Sequence, residues 1–190
     1  MRFKPQVGSP AAHPSFPIVQ PQGPAPPPGL AGVRARPGQA IAKPPLPLTL
    51  ADDTPDANAR PAPWEPRPGH ATVLHLWATW CKSCKKELPE LARLDKELAT
   101  LSPKVDVQTV SMEPGDEARV ARWLSDQGLE LPAHVADPQE LSALLNDEGM
   151  ILPTTLIVDR RGRLAEGLQG NLAVTGIRAA LARLDSAGRP

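Results

Sequence analysis

Residues 71 to 78, ATVLHLWA, are apolar or β-branched almost throughout, the pattern of a strand covered on both faces, and they predict the central strand of a sheet. From Cys81 to about residue 100, leucines at 88, 91, 94 and 98 recur at three- and four-residue spacing. That spacing predicts a helix with one buried face, and Pro103 marks its stop. Residues 105 to 112 read as a second strand. Residues 116 to 127 read as a helix with Val120, Trp123 and Leu124 inward, closed by Gly128. A short extended piece at 133 to 136 precedes a helix at 138 to 146 whose stripe is Leu141, Leu144 and Leu145. After Gly149, residues 154 to 159 and 163 to 168 flank a turn and predict an antiparallel hairpin. A last helix is expected from about 172 to 185. Ahead of all these, Leu46, Leu48 and Leu50 alternate in strand fashion, followed by a polar loop at 52 to 60 and by Trp64 as an edge anchor.

Strands alternating with helices, then a hairpin and a closing helix, predict an α/β fold with a mixed central sheet and helices on both faces. Composition restricts that fold to part of the chain. Of the 25 prolines, 18 fall in the first 68 residues, and runs such as Pro24-Ala25-Pro26-Pro27-Pro28 hold few large apolar side chains. Each proline removes a backbone donor and fixes φ, so residues 1–45 read as a disordered Pro-rich extension and 46–188 as the folded domain.

Lysine plus arginine equals aspartate plus glutamate at 21 each, so no global charge draws in nucleic acid or an acidic membrane. Apolar stretches before residue 70 are only a few residues long, too short for a transmembrane helix or for the core of a signal peptide. Two cysteines only, Cys81 and Cys84, exclude a disulfide framework and leave a site or an incidental pair.

In Trp80-Cys81-Lys82-Ser83-Cys84 the first cysteine stands where a buried strand gives way to a helix. Free backbone N–H groups and the helix dipole there favour a thiolate, and Lys82 and Lys85 add positive charge. Cys81 is therefore the expected nucleophile and Cys84, one turn further and facing inward, the resolving thiol. Half of a zinc site has the same spacing, but no other cysteine exists, and His13, His70, His75 and His134 are not paired at ligand spacing. No metal and no cofactor beyond the redox-active cysteine pair is expected.

The run Leu76-Trp77-Ala78-Thr79-Trp80-Cys81-Lys82-Ser83-Cys84-Lys85-Lys86-Glu87-Leu88-Pro89, with Ile151-Leu152-Pro153-Thr154-Thr155, resembles the TlpA/ResA-like branch of the thioredoxin superfamily. The resemblance implies a thioredoxin-like fold and a protein-disulfide reductase exported to the periplasm or beyond. It also implies a protein thiol or disulfide substrate, an upstream membrane electron donor and a monomeric chain. Oxidase or isomerase activity, or copper delivery by a module of the same fold, are the alternatives.

Several residue roles follow from the residues read together with the resemblance. The Leu152-Pro153 bond is expected to be cis and to lie against the cysteine pair, with the backbone of Leu152 offered to a substrate peptide; a plain strand-start proline is the bland alternative. Glu87, three residues beyond Cys84 on nearly the same helix face, could move protons at the resolving thiol or could be a solvated surface residue. His75 departs from what the resemblance implies, since many thioredoxins place a buried acid there and related proteins often a neutral polar residue. A buried, neutral ring at that position could accept a proton from Cys84, or could merely fill the core. Trp80, directly before Cys81, is expected to form part of the rim on which a partner docks. Lys82-Ser83 lacks the proline often found before the second cysteine, so the redox potential cannot be carried over.

Overall fold

The computed structural model describes residues 48–50, 64–100, 104–145, 151–170 and 174–187. Leu46, the loop at 52–60, Gly149, Leu172 and the extension at 1–45 lie outside them. The apolar run becomes β2 (Ala71–Trp77), buried at every position. It lies in a six-stranded sheet with β1 (Leu48–Leu50), β3 (Val105–Ser111), β4 (Ala133–Ala136), β5 (Thr154–Val158) and β6 (Leu164–Gln169), in the order β1-β4-β3-β2-β5-β6. β2 pairs in parallel with β3, and β3 with β4, while β5 runs antiparallel to both β2 and β6. β1 adds antiparallel to β4 as a short edge strand.

The leucine repeat forms α1 (Lys82–Leu98), with Leu88, Leu91, Leu94 and Leu98 buried and Pro89 inside the helix on its exposed side. The remaining helices are α2 (Glu117–Asp126), α3 (Pro138–Leu145) and α4 (Val174–Ala187). Helices cover both faces of the sheet, but unequally. Val73 and Trp77 of β2 face a core shared with α1, α2 and α4, whereas Leu74 and Leu76 face a smaller one holding Leu141 of α3 with Leu156 and Val158. The two parallel steps in the same direction, β2 to β3 to β4, run through α1 and α2, and both helices pack on the same core. Trp64 packs at the edge of the smaller core. Among the described residues no helix is long and apolar enough to cross a membrane.

Candidate active site

The C-terminal ends of the parallel strands β2 and β3 and the start of antiparallel β5 meet at one edge of the sheet, and the cysteine pair lies there. The chain leaves β2 at Trp77 and turns at once: the Ala78 carbonyl accepts from the Cys81 N–H at 3.0 Å. Cys81 is the N-cap of α1 in extended conformation, and its Sγ accepts the Cys84 N–H at 3.2 Å. A sulfur thus occupies the capping position usually given to a serine or aspartate oxygen, where an otherwise orphan helix donor and the positive end of the dipole meet it. Cys81 and Cys84 are joined as a disulfide with their Cα atoms 5.3 Å apart. Cys84 is fully enclosed and Cys81 slightly less so, at 5 % exposure. The Ser83 hydroxyl stands 3.4 Å from the Cys81 sulfur.

Around the pair, Trp80 is 45 % exposed, the one large apolar side chain among the described residues to be so. Trp77 is buried beneath it in the chain and stacks obliquely on Trp123 of α2, ring centroids 5.2 Å apart. The Lys85 ammonium lies 5.9 Å from the Trp123 ring centre, so one of the two expected cations is drawn against an aromatic face and the other, Lys82, is exposed to solvent.

His75 and Glu87, taken from separate elements by the sequence, come together. The two lie on β2 and α1, with His75 Nε2 3.9 Å from Glu87 Oε2, and the other ring nitrogen, Nδ1, is 3.0 Å from the Thr155 hydroxyl of β5. Among the described residues Nε2 has no hydrogen-bond partner. Burial pushes the imidazole down to about 4, so the ring is neutral near pH 7. At 3.9 Å the carboxylate is too far to hydrogen-bond, and the loss of water outweighs its attraction. The tautomer with the proton on Nε2 turns an N–H toward Glu87 and lets Nδ1 accept from Thr155; the reverse tautomer would set two lone pairs facing each other.

The Leu152-Pro153 peptide bond is cis. Thr154 pairs with Leu76 of β2, so Pro153 falls at the sheet edge from which Cys81 emerges. Pro153 is buried and its carbonyl accepts from the Gly170 N–H at 2.8 Å; Leu152 is half-buried against both cores.

The sequence reading missed Glu113. It lies two residues past the end of β3, is 7 % exposed, and accepts hydrogen bonds from Thr79, Ser111 and Arg119. An acidic residue just past the carboxyl end of a central parallel strand, followed by Pro114-Gly115, was the available signal, because sites in such sheets gather at that end.

With this geometry in view, the sequence model of the AhpC/TSA family matches residues 55–166. The chain belongs to the AhpC/TSA family. Similar proteins include the thioredoxin-like protein YneN of Bacillus subtilis, 35 % identical over 94 residues, which are 50 % of this chain and 53 % of YneN. The thiol-disulfide oxidoreductase ResA of Geobacillus thermodenitrificans is 30 % identical over 112 residues, 58 % of this chain and 60 % of ResA. The chain thus spans little more than half the length of these curated relatives. Among solved structures, the thio-disulfide isomerase of Thermus thermophilus is 25 % identical with a TM-score of 0.53, covering 78 % of this chain and 96 % of that one. The exposed lipoprotein thioredoxin of Streptococcus pneumoniae is 26 % identical with a TM-score of 0.52, covering 61 % and 86 %. The chain shares a thioredoxin-like fold with these structures and is similar to the ResA thiol-disulfide oxidoreductases.

Proposed function

We propose that the chain is a thiol-disulfide oxidoreductase that reduces disulfides of protein partners through Cys81 and Cys84. The observation that carries this reading is the cysteine pair at the N-terminus of α1, with the Cys81 sulfur capped by the Cys84 N–H and the exposed Trp80 directly before it in the chain. The ResA and thio-disulfide isomerase names of its relatives support it.

In the reduced state the Cys81 thiolate attacks one sulfur of the partner disulfide, forming a mixed disulfide and releasing the other partner sulfur as a thiolate. Cys84 gives up its proton and attacks the Cys81 sulfur, which expels the second partner thiolate and closes the Cys81–Cys84 bridge. Two electrons pass from the dithiol to the partner, and a membrane electron donor returns them. We assign the proton of Cys84 to Glu87, one turn along α1, with the Nε2–H of His75 turned toward the carboxylate. Trp80 and the backbone of Leu152, set by the cis bond to Pro153, form the docking rim. The reaction belongs outside the cytosol, where partner disulfides persist, in keeping with the relative described as an exposed lipoprotein.

The isomerase description of the Thermus relative favours a second reading, an oxidising or isomerising role for the same couple. The midpoint potential of Cys81–Cys84 separates the two. A value near or below roughly −270 mV fits a reductase, and one near roughly −120 mV an oxidant.

A further inference from the structure

The turn that carries the nucleophile is held from outside by a buried carboxylate. Residues 78–81 form a tight turn with Thr79 and Trp80 at its corners, closed by the bond from the Cys81 N–H to the Ala78 carbonyl. Four donors converge on Glu113: the Thr79 N–H at 2.5 Å, the Thr79 hydroxyl at 2.7 Å, the Ser111 hydroxyl at 3.0 Å and Arg119 Nη2 at 2.7 Å. Arg119, on α2, also donates to the Thr79 hydroxyl at 3.1 Å and to Asp116 at 2.6 Å. The Thr79 hydroxyl therefore donates to one member of the ion pair and accepts from the other, which uses its proton and one lone pair. A buried carboxylate is costly unless its oxygens are filled, and here two of its four bonds go to the single residue at the first corner of the turn.

That turn sets two things a partner meets, the exposed Trp80 ring and the Cys81 sulfur. We infer that Glu113, locked by Arg119, is a positioning residue of the exchange reaction, fixing the turn at 78–81 so that a protein disulfide meets Trp80 and Cys81 in one pose. The inference rests on the thiol-disulfide reading above. A protein partner must match the rim and the sulfur together, whereas a small electrophile needs only the sulfur. Loosening the turn therefore slows protein substrates selectively.

The test compares two rates on the reduced full-length chain: insulin disulfide reduction, and iodoacetamide alkylation of Cys81 on the alkaline plateau, where every Cys81 is ionised and changes in acidity drop out. Glu113→Gln leaves one carbonyl oxygen where four donors converge, and Thr79→Ala removes the hydroxyl link. Both are expected to reduce insulin about tenfold more slowly, with the alkylation plateau within about twofold of the unmodified chain. Thr79→Ser restores insulin reduction. Leu141→Ala, in the core on the opposite face of the sheet, serves as a control for general destabilisation. Unchanged insulin reduction in both Glu113→Gln and Thr79→Ala, or equal slowing of both rates, would overturn the positioning role. Should Glu113→Gln fail to fold, the Thr79 pair decides alone. An unmodified chain that alkylates but does not reduce insulin would instead refute the underlying thiol-disulfide reading.

Discussion

His75 is enclosed between the sheet and α1, and its surroundings give it two measurable signatures. The first concerns stability. The folded ring takes a proton only near pH 4, against an ordinary value of 6.5 in the unfolded chain. Above pH 6.5 the ring is neutral in both states and carries no penalty. As pH falls through the window from 6.5 to 4, the unfolded chain binds a proton that the folded chain refuses, so stability drops, and the loss levels off below pH 4. The total is about 3 kcal/mol. Urea unfolding at a series of pH values should therefore show a steeper acid-side decline for the unmodified chain than for His75→Asn. Parallel curves would mean that the ring is not the titrating group. The second signature is kinetic. Glu87→Gln is expected to slow attack by Cys84 on the mixed disulfide about a hundredfold while leaving the first attack by Cys81 nearly unchanged, and His75→Asn to slow the same step less. Stopped-flow separation of the two steps checks this, and equal slowing of both would retire the proton-handling role.

At the level of elements, α1 was legible because its chemistry and its packing obey one period. Cys84, Leu88, Leu91, Leu94 and Leu98 all fall on the buried face, and Pro89, which removes one helical donor, sits on the exposed side where the helix tolerates the loss. Leu88→Ala should cost about 2–5 kcal/mol, measured by denaturant unfolding, because its fully enclosed side chain packs one turn beyond Cys84. A loss under about 1 kcal/mol would show that the core there collapses around the gap. β2 was legible for the same reason, its run being apolar on both faces. The Glu113 cluster was not. Its partners are 34 residues apart at Thr79 and six apart at Arg119, and only the parallel pairing of β2 with β3 brings those loops side by side. The meeting of His75 with Glu87 was hidden likewise, since the register of a strand beneath a helix is set by packing and leaves no local mark in the sequence.

For the molecule as a whole, the proline distribution and the pairing of β1 with β4 make a prediction about length. A chain beginning at Ile41 keeps Leu48–Leu50 and is expected to fold and to reduce insulin at the full-length rate. One beginning at Ala51 loses that edge strand, leaves the β4 edge unpaired at residues 134–136, and should be less stable or more prone to self-association. Thermal unfolding and light scattering of the two truncations compare them, and an unfolded Ile41 chain would show that the proline-rich extension contributes to the fold. The central claim is that Cys81 attacks and Cys84 resolves. Its most direct measurement is the mass of the species formed when each single-cysteine variant, reduced, meets a protein disulfide. Cys84→Ser should accumulate a mixed disulfide between Cys81 and the partner, whereas Cys81→Ser, with its remaining thiol fully buried, should form none and reduce nothing. A stable adduct on Cys84 in Cys81→Ser, or continued turnover by that variant, would contradict the account.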